Sequence, residues 1–337
     1  MKLYFRPITQ SDPARPEGAL PLAGGWCWFD AVEVLSHDGP QGRIAARDLP
    51  AEVRERLTAP RADLAGLDFA APRIMGILNL TPDSFSDGGN YVELPAALDQ
   101  ARAMMADGAD ILDLGGESTR PGAVEIPVAE EIARTAPAII ALRAEGAAIP
   151  ISIDTRKAGV ARAAVMAGAG VVNDVSAMEF DPDMAGVVAG VRAGLCLMHA
   201  QGDPATMQAD PRYGNVLLEV YDYLEARIRV AARSGIPRAR IMVDPGIGFG
   251  KTVAHNLTLL RGLSLFHGLG CPILLGVSRK RFIGSVGRAM LPAQRMPGTL
   301  AVTLAGVAQG VQVHRVHDVA EVAQGLRLWE AIRKGQA

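Results

Sequence analysis

The 337-residue chain is 49% hydrophobic, so it has enough apolar side chains to fold around a full-sized core. Its 34 Lys and Arg residues nearly balance 36 Asp and Glu residues, and the net charge of −2 excludes a general attraction to nucleic acid or to an anionic membrane. The widely separated Cys27, Cys196 and Cys271 argue against a disulfide framework or a structural zinc site. Because neither a signal peptide nor a membrane helix is predicted, we expect a cytoplasmic protein.

Residues 1–72 differ in character from the rest of the chain. They contain several prolines, the pair Gly24-Gly25 and short β-like pieces within residues 26–35. One helix is predicted over residues 49–57, followed by a linker over residues 58–71. We interpret this segment as an N-terminal extension of unknown function.

From residue 73 onward, short runs rich in Val, Ile and Leu alternate with longer amphipathic stretches, which is typical of successive βα units around a parallel sheet. Most runs follow a glycine that can end the preceding helix in a left-handed conformation: Gly108, Gly168, Gly235, Gly270 and Gly310. Eight such runs are predicted as strands, over residues 73–80, 109–114, 151–154, 171–174, 194–198, 240–244, 272–277 and 312–316.

Residues 73–337 are close in number to the ~250 residues usual for a closed barrel of eight βα units. The pattern therefore predicts an α/β fold, a (β/α)8 TIM barrel with an N-terminal extension. The competing fold is an open doubly wound sheet, but the Gly-x-Gly-x-x-Gly turn typical of its first βα unit is absent after Leu80. The extension has three open roles: covering the barrel bottom, contributing to a dimer, or being the remnant of another domain.

Nearly every predicted strand ends in polar residues. A single Asp or Asn after a strand can simply cap the next helix, but so many at one end of a barrel indicate an active site. The strand-end residues are Asn79, residues 115–120, Asp154, Asn173-Asp174, Met198-His199, Asp244, Ser278-Arg279-Lys280 and Arg315-Val316-His317.

Two groups of these residues suit two parts of one ligand. Asp154, Asn173 and Asp244 suit a flat heterocycle with several N–H donors, because a carboxylate accepts two parallel hydrogen bonds from an amidine-like edge. Lys280 adds a donor for a ring carbonyl. Arg315, His317 and Asn79 suit a polyphosphate leaving group with a hard cation such as Mg²⁺. The P-loop sequence is absent, which disfavours a P-loop NTPase.

Two polar loops are predicted to be mobile lids, over residues 81–89 with Phe85 and over residues 117–122 with Arg120. Neither histidines nor cysteines have metal-ligand spacing in the sequence, so a buried transition metal is disfavoured.

The motifs resemble those of the dihydropteroate synthase family, part of the wider group of pterin-binding proteins, from residue 73 to about residue 332. The resemblance depends on several long motifs that occur in the same order. They are Gly76–Gly89 (GILNLTPDSFSDGG), Asp113–Gly122 (DLGGESTRPG), Ile153–Thr155, Asn173–Val175, Met198-His199, Asp244–Gly246, Ser278–Lys280 and Arg315–His317.

The resemblance implies a folate-biosynthesis enzyme that condenses 6-hydroxymethyl-7,8-dihydropterin pyrophosphate with p-aminobenzoate to give 7,8-dihydropteroate and pyrophosphate. By analogy, pyrophosphate leaves the pterin methylene carbon, the pterin stabilises the cation, and the neutral aryl amine attacks. Two alternatives stay open, a pterin-dependent methyltransferase and a non-catalytic pterin-binding paralogue. The resemblance also implies a homodimer built through the later helices.

The same resemblance implies a role for each candidate residue. Asp154, Asn173, Asp244 and Lys280 would hold the pterin, Met198, Gly248 and Phe249 would line its pocket, and Arg315 would stack over the ring. Asn79, Arg315 and His317 would hold the pyrophosphate, with Mg²⁺ at Asn79. Phe85, Thr119 and Arg120 from the two loops would shape the p-aminobenzoate site beside Ser278 and Lys280. The residues expected to be catalytic are Asp154, Lys280, Arg315, Phe85 and Arg120.

Overall fold

The structure is a computed structural model that describes residues 1–81, 90–118, 124–202 and 207–336. Five short strands and one helix form the N-terminal segment: β1 (Tyr4–Pro7), β2 (Leu20–Pro21), β3 (Trp28–Phe29), β4 (Ala31–Ser36), β5 (Gly39–Ala45) and α1 (Ala51–Thr58). Strands β1, β4 and β5 pair in that order as an antiparallel sheet. Helix α1 begins two residues later than predicted because Pro50 keeps Leu49 in an extended conformation.

The remaining strands form one eight-stranded parallel sheet. They are β6 (Arg73–Asn79), β7 (Ile111–Gly115), β8 (Ile151–Asp154), β9 (Val171–Asp174), β10 (Gly194–Met198), β11 (Ile241–Asp244), β12 (Leu274–Gly276) and β13 (Val313–Val316). Their order is β11-β10-β9-β8-β7-β6-β13-β12, and a parallel bridge between Val243 and Ile273 joins the two ends. Each predicted run overlaps one strand, β7 ending one residue beyond its run, and the predicted (β/α)8 barrel is confirmed.

Helices alternate with these strands: α2 (Asn90–Asp107), α3 (Val128–Ala144), α4 (Ala158–Ala167), α5 (Met184–Val191), α6 (Val216–Arg233), α7 (Val253–Arg261), α8 (Arg281–Gly287), α9 (Met296–Val307) and α10 (Val319–Lys334). The five glycines expected to precede strands in a left-handed conformation have φ angles between 72° and 120°. None of the helices among the described residues is both long and apolar enough to span a membrane.

The N-terminal end of the barrel interior is apolar. Met75, Ile111, Val171, Cys196 and Met242 pack there with Leu274 and Val313, near the start of their strands. Three residues that precede the barrel, Leu64, Leu67 and Phe69, belong to the same buried cluster. This part of the N-terminal segment therefore covers the barrel bottom and leaves the carboxyl ends of the strands as the open mouth.

A second buried cluster joins the extension to the outer helices. It contains Phe29 and nine other buried residues, among them Trp26 and Val307, and Trp329 of α10 packs against it. The Trp26 indole N–H also donates a 2.8 Å hydrogen bond to the Val307 carbonyl at the end of α9. Because these contacts are buried and span 281 residues of sequence, we expect the extension and the barrel to unfold together. The domain boundary after residue 72 stays a prediction.

Replacing Phe29 with Ala is expected to lower the free energy of unfolding by about 3–5 kcal/mol, because a fully buried aromatic ring is lost. Urea denaturation followed by far-UV circular dichroism and by tryptophan fluorescence measures this. All three tryptophans, Trp26, Trp28 and Trp329, lie in or beside the extension, so fluorescence reports on its docking. The control is Leu3→Ala, because the Leu3 side chain is exposed. A shift of the fluorescence transition alone would contradict the expected joint unfolding.

Candidate active site

Charged side chains lie above the apolar bottom layer, at the carboxyl ends of the strands. The sheet register places Gly115 beside Asp154, and Asp154 beside Asn173. Asp113 pairs with Ser152 and therefore lies one layer deeper on the same inward face. The barrel thus brings together residues that are far apart in the sequence.

Arg315 is the centre of this arrangement. Its Nε donates a 2.6 Å hydrogen bond to Oδ2 of Asp113, and its Nη2 donates a 2.7 Å hydrogen bond to Oδ2 of Asp154. The Asn173 amide nitrogen donates to the same Asp113 oxygen at 3.1 Å. Although burial opposes the charge, Asp113 and Asp154 raise the pKa of Arg315, so the guanidinium stays protonated.

Two carboxylate oxygens in this cluster have no partner in the described part of the chain. They are Oδ1 of Asp113 and Oδ1 of Asp154, and both are buried. Burial raises the pKa of the Asp154 carboxyl to about 7, against the opposing effect of Arg315. A buried acceptor without a partner is unfavourable, and a ligand with N–H groups can supply the missing hydrogen bond.

Asp244, at the end of β11, and Lys280, in the loop after β12, lie near each other at another part of the mouth. Oδ1 of Asp244 accepts a 2.7 Å hydrogen bond from the Gly246 amide, and burial raises the pKa of Asp244 while Lys280 opposes the rise. Nζ of Lys280 donates to the Ile247 carbonyl and lies 4.6 Å from the centre of the Phe249 ring. Burial lowers the pKa of Lys280 to about 8.

The loop after β11 requires glycine where it meets the end of β10. Gly246 has a φ of 67°, and a Cβ atom there would lie 1.8 Å from the His199 carbonyl oxygen. The buried Lys251 Nζ holds the two loops together through the Phe249 carbonyl at 2.9 Å and Nδ1 of His199 at 2.8 Å. From the sequence alone, His199 is assigned by default to packing or to the surface. In the structure it is buried between the two loops. Burial lowers its pKa to about 2.

Ser278, which follows β12, and His317, which follows β13, contact each other. Ser278 Oγ accepts a 3.1 Å hydrogen bond from the His317 amide and lies 2.9 Å from Nδ1 of the same residue. Between Ser278 and Lys280, Arg279 turns away and pairs with Asp318 at the start of α10. Of the predicted Ser-Arg-Lys motif, only Ser278 and Lys280 therefore lie in position to meet a ligand.

Asn79 ends β6 half-buried, on the same side as Asp154. A Cβ atom on Gly115 would lie 3.9 Å from both Asn79 Oδ1 and Asp154 Oδ2, so the two oxygens border the same space. Within the described residues, His, Cys, Asp and Glu form no group of three or more suited to a metal ion. Mg²⁺ commonly takes one or two protein oxygens with substrate phosphates and waters, and Asn79 fits that kind of site.

Three predicted site residues, Phe85, Thr119 and Arg120, lie outside the described residues. Met198 is buried at the end of β10, and Gly248 and Phe249 are half-buried beside Lys280. The structure therefore brings together the predicted pterin group, Asp154, Asn173, Asp244 and Lys280. It also places Arg315 within hydrogen-bonding distance of that group.

Two features were missed from the sequence. Asp113 lies inside a strand, where only the two-residue alternation from Gly115 indicates that it points inward. The second is a buried ion cluster at the base of the second loop, in which Lys157 Nζ pairs with Glu117 and, at 2.9 Å, with Glu131. Glu117 also accepts a hydrogen bond from the Ile126 amide, so it joins the residues that flank the loop. Glu117 is therefore an anchor of the loop.

Comparison with known proteins shows the family to which the chain belongs. The sequence model of the pterin-binding enzymes matches residues 75–317, so the chain belongs to the pterin-binding enzyme family. The dihydropteroate synthase of Synechocystis sp. is 47% identical over 259 residues, which are 77% of this chain and 89% of the relative.

Two solved structures have the same fold. The dihydropteroate synthase of Xanthomonas albilineans with 4-aminobenzoic acid is 46% identical, has a TM-score of 0.76 and covers 81% of this chain and 98% of its own. The same enzyme in complex with 7,8-dihydropteroate is 43% identical, has a TM-score of 0.74 and covers 81% and 99%. Within the family, the chain groups with the dihydropteroate synthases, and the activity predicted from the sequence is confirmed.

Replacing Lys157 with Met is expected to lower the free energy of unfolding by about 3–5 kcal/mol, because it leaves Glu131 buried without its cation. Urea denaturation checks this value. The matched control is Lys334→Met, which removes an exposed pair with Glu330 and should change stability by less than about 1 kcal/mol. Equal effects of the two substitutions would contradict the role of the buried cluster.

Proposed function

We propose that the barrel mouth performs the dihydropteroate synthase reaction by binding the dihydropterin pyrophosphate between two oppositely charged groups. The single observation that carries this proposal is Arg315 held between Asp113 and Asp154, with Asp244 and Lys280 close to it at the same mouth. The dihydropteroate synthase structures with 4-aminobenzoic acid and 7,8-dihydropteroate support the same choice of substrates.

The pterin ring binds at the acidic side. Asp154, Asn173 and Asp244 accept or donate hydrogen bonds along its edge, and the unpartnered Oδ1 of Asp154 is a ready acceptor for a ring N–H. Lys280 exchanges its bond to the Ile247 carbonyl for the ring carbonyl. Met198, Gly248 and Phe249 line the pocket, and Arg315 lies over the ring face.

The pyrophosphate binds at the side of Asn79, Arg315 and His317. Asn79 offers a neutral oxygen to Mg²⁺, and bound Mg²⁺ would neutralise charge on the departing pyrophosphate. Arg315 is protonated and offers planar N–H donors to phosphate oxygens. The two charged ends of the breaking bond thus face partners of opposite sign.

Asp154 stabilises the cation that forms on the pterin methylene carbon as pyrophosphate leaves. The amine of p-aminobenzoate is a free nucleophile at neutral pH, so a strong general base is not required. We propose that Ser278, Lys280 and the loop residues Phe85, Thr119 and Arg120 position this second substrate. The amine nitrogen forms the new bond to the methylene carbon and then loses a proton.

We also propose a cytoplasmic homodimer. All three cysteines are unpaired and buried, which fits a reducing compartment. Helix α9 contains no charged residue and exposes Pro297, Ala301 and Ala305 along one side. Apolar residues are exposed nearby as well, Leu257 on α7, Val286 on α8, and Met290 and Leu291 in the segment between α8 and α9. A second copy of the chain would bury this surface.

Pyrophosphate release from the full chain with dihydropterin pyrophosphate and Mg²⁺, with and without p-aminobenzoate, tests the function. Amine-dependent release with dihydropteroate identified by mass is the expected result. Binding without coupling would indicate a non-catalytic paralogue. Methyl transfer to a corrinoid protein without any dependence on p-aminobenzoate would indicate the methyltransferase.

The value of kcat/KM is expected to show a narrow pH optimum between about 7 and 8. Asp154 must be ionised, and its pKa of about 7 makes activity rise as the pH rises through 7. Lys280 must be protonated, and its pKa of about 8 makes activity fall above 8. Initial rates across the pH range measure this profile, with Asp154→Asn expected to lower turnover and remove the acid limb. An acid limb that persists in this variant would contradict the assignment.

A further inference from the structure

We propose that Asp113 is a positioning residue for the reaction, one that holds the guanidinium of Arg315 and the amide of Asn173 in the orientation that the substrate requires. The inference rests on the proposed function, because it assigns Arg315 and Asn173 to the two ends of the same substrate. Asp113 itself lies one layer below the residues that meet the ligand.

The geometry of Asp113 carries the proposal. Its side chain is fully buried inside β7, and one oxygen, Oδ2, accepts from both Arg315 Nε and Asn173 Nδ2. These donors come from β13 and β9, on opposite sides of β7 in the sheet order. A single carboxylate oxygen therefore fixes the distance between a phosphate-binding group and a pterin-binding group.

The hydrogen bond from Arg315 Nε to Asp113 also fixes which edge of the guanidinium faces the ligand. Asp113 and Asp154 occupy the Nε and Nη2 positions, and no described residue accepts a hydrogen bond from Nη1. Without Asp113, the guanidinium would be free to turn about its bond to Asp154. Charge-assisted hydrogen bonds of this kind set orientation as well as energy.

A contribution to the stability of the fold does not explain why position 113 carries a carboxylate. Asp154 already neutralises Arg315, so Asp113 adds a buried negative charge that is unfavourable to desolvate. The inward residues of the layer below are apolar, and an apolar residue at 113 would continue that packing. A buried group that opposes stability but orients two ligand-binding side chains is expected where function requires it.

The test compares Asp113→Asn with Ser152→Ala in the full-length protein. Ser152 is the register partner of Asp113 on β8, is fully buried, and its hydroxyl has no partner in the described part of the chain. It is therefore a control for disturbance of the same layer. Asp113→Asn should lower kcat/KM for the pterin pyrophosphate by about 10- to 100-fold, as expected for misplaced binding groups. Ser152→Ala should stay within about twofold.

The pH profile, compared between two substitutions, separates the effect of the charge of Asp113 from the effect of its position. The charged groups acting on Asp154 are Arg315, Asp113, Glu131 and Asp174, and Asp113 raises its pKa. Removing the charge at 113 should therefore move the acid limb of kcat/KM to lower pH. Asp113→Glu keeps the charge but displaces it by one methylene, so it should lower kcat/KM while the limb stays in place.

The outcomes separate this inference from the proposed function. If the wild type does not form dihydropteroate, the proposed function is wrong. If the wild type is active and Asp113→Asn matches Ser152→Ala in both rate and pH profile, only the role of Asp113 is wrong. Should Asp113→Asn fail to fold, the Glu variant decides: unchanged kcat/KM would overturn the inference.

Discussion

The ion pair of Arg315 with Asp113 and Asp154 is the interaction on which the rest of the site depends. Its partners are 202 and 161 residues away in the sequence, so it forms only when the barrel has closed. Two buried carboxylates share one guanidinium, which leaves the acidic side of the mouth with excess negative charge. That excess is unfavourable in the free protein and favourable toward a developing cation.

Charge separation across the mouth follows from strand order. β13 lies between β6 and β12, so Arg315 has Asn79 on one side and the Ser278 and Lys280 strand end on the other. Asp154 of β8 and Asn173 of β9 lie on the far side of β7. A substrate with a cationic reaction centre and an anionic leaving group therefore has one orientation in which both ends are stabilised. The extension seals the opposite end of the barrel with Leu64, Leu67 and Phe69.

The barrel strands and the strand-end residues could be predicted because each depends on local pattern: apolar runs, preceding glycines, and polar residues after the run. Asp113 could not be recognised in the same way, since it lies within an apolar strand and its partners come from distant strands. Glu117 was grouped with a mobile loop, yet it is buried and anchored by Lys157. The packing of the extension was left open because antiparallel pairing and docking depend on contacts far apart in the sequence.

The central claim is that Arg315 serves the anionic end of the substrate while the acidic residues serve the pterin. Calorimetric titration of wild type and Arg315→Ala with dihydropterin pyrophosphate, and with the free hydroxymethyl dihydropterin, tests it most directly. The account predicts that Arg315→Ala weakens binding of the pyrophosphate ligand at least about tenfold more than binding of the free pterin. Equal loss for both ligands would contradict the division of the mouth into a pterin side and a pyrophosphate side.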